Sequence, residues 1–300
     1  MVLIHLLLLI FMPPLLFGVI NKTKAWFGGR TGMPLMQPYF DIIKLMRKGM
    51  VLSDTTTWIF RAGPVVTLVT MFIAGLLIPM GRFNSPVSFT GDLILFAYLF
   101  GLSRFFTTAA ALDTGSSFEG MGSAREVTFA TLSEPALFFA FSVFVKMSGS
   151  FSLSTMLHSP LNELSVDIAA PLVLLAIGLF IVMLAESCRI PVDDPNTHLE
   201  LTMIHEAMVL DHSGPLFGII SYASALKLFI LGTVLLHLIF PFQFEMVWLN
   251  WFLFICEILV LAFVIGVIES IMARLQMTHV PYLLISAMLF CAFGFVLLFR

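Results

Sequence analysis

Six ionisable residues interrupt stretches of sequence that are otherwise apolar enough to cross a membrane: Arg104, Glu134, Glu186, Lys227, Glu257 and Glu269. Near the centre of a helix in hydrocarbon such a group costs at least ~2.5–3.5 kcal/mol on the insertion scale, so each needs a reason to be there. At 1.5 Å of rise per residue, Arg104 lies roughly 12 Å from the nearer loop and Glu134 roughly 10 Å. Lys227 sits roughly 15 Å deep and Glu257 about 20 Å, while Glu186 is near a span end and Glu269 at the membrane edge. The depths form a descending series, and one chemistry that fits it is a proton or charge relay. Asp193, Asp194 and Glu126 would stand at its mouth, followed by Glu186 and Glu134, then Lys227 and Glu257. A low-dielectric site can hold such groups near the point where they trade protons. The other chemistry is structural: buried ion pairs, Arg104 with a carboxylate and Lys227 with Glu257. Spacing fixes depth but not rotation about a helix axis, so both readings stand.

The elements that must carry these residues follow from composition. Hydrophobic residues make up 59% of the 300 and charged residues 11%, with a mean hydropathy of +1.03. Soluble domains hold roughly 45–50% apolar and 25% charged residues, so the chain reads as an integral membrane protein. Lys and Arg (15) against Asp and Glu (18) leave a net charge of −3, which gives no basic field for nucleic acid. Cys188, Cys256 and Cys291 are far apart with no CxxC pair, which excludes iron–sulfur and structural zinc sites of the usual spacing. No GxGxxG or GxxxxGK[ST] motif occurs. His198, His205 and His212 recur every seven residues beside Glu200 and Glu206. Yet HExxH is absent, because Ala-Met-Val-Leu follows Glu206. A polar segment that meets a partner is the better reading, and no metal site is assigned.

Eight windows are long and apolar enough to span a bilayer, near residues 2–20, 58–80, 91–112, 128–147, 168–188, 217–238, 248–269 and 281–299. The first lacks the basic start and small-residue cleavage site of a signal peptide, so it reads as a retained span, kinked or broken at Pro13–Pro14. The fold class is therefore an all-α bundle of about eight transmembrane helices in a single polytopic domain, 1–300. The alternating pattern of a membrane barrel is absent. Long loops at 21–57, 113–127 and 189–216 fall on one side and hold ten of the 18 acidic residues. Ten Lys or Arg lie on that side and three on the other, which predicts both termini outside and the long loops in the cytoplasm. Within the first loop, Tyr39, Ile42, Ile43 and Met46 recur at helical spacing opposite Asp41, Lys44 and Lys48. This predicts an interfacial amphipathic helix over Gln37–Met50.

Four segments resemble one family. GGRTGMPLMQPYFDIIKLMRKG (28–49), LDTGSSFEGMGSAREVTFATLSEP (112–135), AESCRIPVDDPNTHLELTMIHEAMVLDHSGP (185–215) and ESIMARLQ (269–276) occur in order. Together they are similar to the loop signatures of the complex I subunit 1 family. That family includes the membrane subunits of group 4 NiFe hydrogenases, hydrogenase-4 and formate hydrogenlyases. The resemblance implies a subunit that joins the membrane arm to the soluble arm and starts a proton pathway. Its partners would be soluble iron–sulfur subunits, hydrogenase-like large and small subunits and antiporter-like membrane subunits, in a bacterial or archaeal plasma membrane. Iron–sulfur and NiFe centres would sit on those partners, with none bound by this chain. By matching motif, Arg30, Gln37, Asp41 and Lys44 would line the first-loop helix and Glu186, Arg189, Asp193, Glu200 and Glu206 the acidic interface loop, with Asp194 beside them, all facing the arm. Glu126, Glu134, Glu186 and Lys227 would fall on the pathway. The quinone enzymes typically read PFDLxExExEL after the fifth span, whereas here Val-Asp-Asp-Pro-Asn-Thr-His follows Pro191. That departure favours the hydrogenase-like branch over a quinone-chamber subunit. An ion-coupled transporter standing alone is the rival from another class, although no inverted repeat is evident.

Overall fold

The computed structural model describes residues 1–81, 83–158, 166–193, 203–240 and 246–298. Eight helices in it are long and apolar enough to cross a membrane. They are α1 (Val2–Phe27), α3 (Trp58–Leu77), α4 (Asp92–Asp113), α5 (Ser117–Ser148), α7 (Val166–Glu186), α9 (Gly214–Ile239), α10 (Val247–Ile271) and α11 (Val280–Leu297). Three short helices join them: α2 (Gln37–Met46), α6 (Leu153–His158) and α8 (His205–Met208). No β-strand occurs among the described residues. The protein is an all-α membrane bundle.

One hydrophobic core runs through all eight spans. α9 lies at its centre, buried almost all round from Leu226 to Leu238, as expected of a helix that is apolar on every face. α3 packs on α4 and α9, α1 on α9 and α10, and α11 against α5 and α7. Contacts such as Asp211 with Glu119, Arg274 with Asp193, Val51 with Ser213 and Thr55 with Thr114 place the described parts of segments 28–57, 114–116, 187–193, 203–213 and 272–279 at one end of the bundle. This is the loop-rich end.

Two boundaries differ from the sequence reading. The first span runs unbroken to Phe27, where Pro13 and Pro14 predict a kink or a break, so the break does not occur. Prolines at 13 and 14 have no N–H for the Leu9 and Ile10 carbonyls. The Tyr222 hydroxyl supplies that donor, 3.4 Å from Leu9 O and 3.0 Å from Ile10 O, while Tyr39 donates to the Phe11 carbonyl. Residues 113–127 are not a loop: α5 starts at Ser117. Its polar first turns are covered from above. Buried Glu119 accepts the Asp211 N–H at 3.0 Å, and Arg125 donates to the Met203 carbonyl at 2.8 Å. Gly122 lets α8 approach, since a Cβ there would lie 2.9 Å from both the Ala207 Cβ and the Ile204 carbonyl oxygen.

The amphipathic α2 forms as expected but ends at Met46. Pro38, Tyr39, Ile42 and Leu45 are half-buried, and a Cβ at Gly218 on α9 would meet the Leu45 Cβ at 3.1 Å. Phe40, Ile43 and Met46 are exposed. The apolar face of α2 is thus divided between the bundle and the outside.

Candidate functional site

Arg104, on α4, is the hub of the largest charge cluster in the described residues. Its Nη2 donates to both oxygens of Glu186, at 2.7 and 2.8 Å, and its Nη1 donates to Glu134. Its Nε stands 3.8 Å from Glu126. Glu186 closes the network. It is the last residue of α7, where the carbonyl end of a helix repels a carboxylate, so it needs cations to be held there. Besides Arg104 it takes the Lys227 ammonium at 2.7 Å and the Ser133 hydroxyl at 2.6 Å. The Glu186 side chain is 3% exposed, whereas that of Glu134 is 45% exposed. Buried charge of this kind is tolerated because every oxygen of Glu186 is hydrogen-bonded.

Apart from Asp193 and Asp194 at its mouth, four of the five residues read as a relay therefore meet in one place: Glu126, Glu134, Glu186 and Lys227. They form a ring around Arg104 and not a ladder of increasing depth. Glu257 is the exception. It lines a small cavity with Gly81, His237 and Asn250 at the end of the bundle away from the long loops. Pairing of Lys227 with Glu257 is corrected, since Lys227 binds Glu186. Glu257 lines its cavity with Leu236, His237 and Phe240, nine to thirteen residues farther along α9 than Lys227, so the two lie at different depths. Arg104, read as a structural charge, proves to be the contact shared by all three carboxylates. Ser133 is a member that the sequence reading misses, and its place beside Glu134 is the one signal that points to it.

A cavity of about 60 Å³ opens beside the ring, lined by Thr67, Ser103, Thr107, His205, His212 and Ser224 as well as the charged residues. Two buried polar atoms on its wall, Arg104 Nε and His212 Nδ1, have no hydrogen-bond partner among the described residues. The His212 ring stacks on Phe60 at 4.0 Å, and its Nε2 lies 3.4 Å from the Phe60 carbonyl, which Pro64 leaves without a helical N–H.

Burial holds the His212 imidazole down at about 4. A base whose folded value lies below its unfolded value of 6.5 favours folding above pH 6.5. That stability is lost as pH falls from 6.5 to about 4, up to about 3 kcal/mol in all. Melting of the detergent-solubilised protein should therefore weaken across that window. His212→Phe, which keeps the stack, should flatten that part of the profile.

A second, larger cavity of about 450 Å³ lies between α1, α2, α9 and the segment after α7. Asp41, Lys44, Lys48, Arg189, His205 and Glu206 supply its polar wall, and Pro14, Phe17, Ile42 and Phe217 part of its apolar one. Cys188 lines both cavities. Burial, with Glu126 and Asp193 nearby, pushes its thiol well up, so it stays protonated.

The residues assigned to the arm interface separate into two groups. Arg30, Asp41 and Lys44 are exposed, with Gln37 donating to Asp41 at 2.9 Å. Arg189 and Asp193 are buried and face inward, so they present no charge to a partner. Arg189 bonds Glu269 at 3.4 Å and lies 4.1 Å over the Phe17 ring. Glu269 also pairs with Lys24 at 2.9 Å. Asp193 accepts from Arg274 at 2.9 Å and from the N–H groups of Ile204 and His205, both at 3.1 Å. Asp194 and Glu200 lie outside the described residues. Among the described residues no group of three His, Cys, Asp or Glu side chains could hold a metal ion.

A family model described as NADH dehydrogenase matches residues 1–300. The chain belongs to the NADH dehydrogenase subunit 1 family. Formate hydrogenlyase subunit 4 of Escherichia coli (strain K12) is 31% identical over 98% of this chain and 96% of its own length. Hydrogenase-4 component C of the same organism is 29% identical over 78% of this chain and 73% of its own. A chain of the membrane-bound sulfane sulfur reductase (MBS), an archaeal respiratory membrane complex, has the same fold. Its TM-score is 0.84 over 98% of this chain and 97% of that one, at 20% identity. The family's relatives are thus membrane subunits of respiratory-type complexes, and the departure after Pro191 agrees with a place among the hydrogenase-like members.

Proposed function

We propose that this chain is the membrane-anchoring and energy-coupling subunit of a hydrogenase-4-like or formate hydrogenlyase-like oxidoreductase. It docks a soluble iron–sulfur arm, with large and small hydrogenase-like subunits, at the loop-rich end. Antiporter-like subunits are its neighbours in the membrane. The redox centres belong to the arm. The excess of Lys and Arg in the loops argues that this end is cytoplasmic, with both termini outside, in a bacterial or archaeal plasma membrane.

The observation that carries the coupling role is the ring of Glu126, Glu134, Glu186 and Lys227 around Arg104, beside a polar cavity. A space of about 60 Å³ has room for a few waters, and Arg104 Nε and His212 Nδ1 offer them partners. A proton arriving at Glu126 would have a path of water and carboxylate to Glu186. Glu257 would serve a separate step on the far side.

Purification of the tagged complex from native membranes tests the assignment. Soluble iron–sulfur chains with bound nickel and iron support it. A chain that repeatedly emerges alone and monodisperse favours a transporter. Within the complex, Glu126→Gln should leave assembly intact and lower the protons moved per electron several-fold. An unchanged ratio removes Glu126 from the relay.

The cavity of about 450 Å³ favours one second reading, a quinone-chamber subunit, because its size and mixed lining suit a ring-shaped amphiphile. Inhibition of turnover by quinone-site ligands would select that reading.

A further inference from the structure

α5 carries a stripe of polar side chains on its outer face. Thr128, Thr131 and Ser142 are exposed there, and the half-exposed Glu134 side chain lies among them. Glu134 stands seven residues into the apolar part of α5 (128–147), roughly 10 Å in from the loop-rich end. Hydrocarbon offers nothing to a carboxylate at that depth, and polar residues in spans normally face protein or water. On α4, Gly101 is exposed, and a Cβ there would meet nothing within 4 Å.

Two further features ask for donors. Pro135 has no N–H to offer the Thr131 carbonyl, one turn from Glu134 on the same face. The ring itself holds three carboxylates (Glu126, Glu134, Glu186) against two cations (Arg104, Lys227), a formal charge of −1 with all ionised. A further positive group would balance it, and Glu134 is the member of the ring open to the outside.

We propose that the α4–α5 face around Glu134 is covered in the assembled complex by a transmembrane helix of another subunit, which brings a Lys, Arg or His opposite Glu134. Small and hydroxyl-bearing residues along the stripe allow close helix approach. Thr128, Thr131 and Ser142 satisfy their own hydroxyls on helix carbonyls, so they offer a smooth surface and leave Glu134 as the specific contact. The surface stands whether or not Glu134 carries protons, because it follows from exposure and charge.

Photo-cross-linking in native membranes tests it. Exposed Phe138, one turn beyond Glu134, is replaced by p-benzoylphenylalanine. The expected product joins this chain to one other membrane subunit, through a transmembrane peptide with a Lys, Arg or His within about one turn of the adduct. Adducts with lipid alone, with a second copy of this chain, or with a helix lacking such a residue would overturn the proposal. Ser142→Trp, distant from the charges, should cut the yield about tenfold by blocking the approach, with the melting temperature of this chain unchanged. A yield that survives Ser142→Trp would also overturn it. Proton coupling is not the readout, so failure here leaves the relay reading intact, and failure of the relay leaves this one intact.

Discussion

Glu186→Gln is expected to destabilise the protein by about 3–5 kcal/mol, the range found when one partner of a buried ion pair is removed. Among the described residues, Glu186 is the only group that binds Arg104 through both carboxylate oxygens and also binds Lys227. An amide keeps one acceptor oxygen but carries no charge, so Lys227, within α9, loses its ion-pair partner. Lys227→Met alone is expected to be milder, because Glu186 keeps Arg104 and Ser133. The double variant should recover part of the loss, since it no longer buries an unpaired ammonium. A coupling energy of about 0.5–3 kcal/mol between the two sites is expected. Thermal melting of the four proteins of this cycle in one detergent provides the measurement. If Glu186→Gln melts with the native protein, the cluster is solvated in a way that a 3% exposed carboxylate does not allow.

Much of this arrangement is legible in the sequence, and the parts that are not share a physical cause. Span existence follows from runs of apolar residues, and all eight windows are helices. Arg104, Glu134, Glu186 and Lys227 of the charge cluster are legible as well, because a charge in an apolar run stands out by composition alone. Their contacts are not. Position along a helix is linear in residue number, whereas which residues of two helices come level depends on how the helices pack, and the Lys227–Glu257 pairing fails there. The start of α5 is missed for a related reason. Residues 117–127 look like a polar loop until Glu119, Gly122 and Arg125 find partners in 203–211. Proline gives a local rule that distant residues override: the single Tyr222 hydroxyl donates at the carbonyls that Pro13 and Pro14 leave without N–H partners. Asp92 and Asp113, at the ends of α4, carry no sequence signal of a role, yet each holds a loop. Asp113 caps α3 through the Thr57 N–H at 2.7 Å, and Asp92 accepts the Leu153 N–H at 2.6 Å.

Asp193 shows how the same carboxylate changes meaning once its surroundings are known. Its motif places it among residues that meet the soluble arm, but it is 1% exposed and turned inward. Three donors converge on it: Arg274, on the linker before α11, and the N–H groups of Ile204 and His205, which lead into α8. It therefore ties the segment after α7 to two other elements and shapes the wall of the larger cavity. Asp193→Ala is expected to cost about 3–5 kcal/mol, because it takes the carboxylate away from a guanidinium and two backbone N–H groups at once. Asp193→Asn keeps an acceptor oxygen and should cost less. The clearest local readout is Cys188, a protonated thiol on the wall of the same cavity. Loosening of 203–209 should raise its labelling by a maleimide at least tenfold in Asp193→Ala, in the chain purified without its partners. A charge that acted only at an interface would leave Cys188 as slow to react as in the native chain and would affect only retention of the arm. Unchanged labelling with lost retention would return Asp193 to the interface; the reverse pattern makes the loss of any docking a consequence of a misplaced loop.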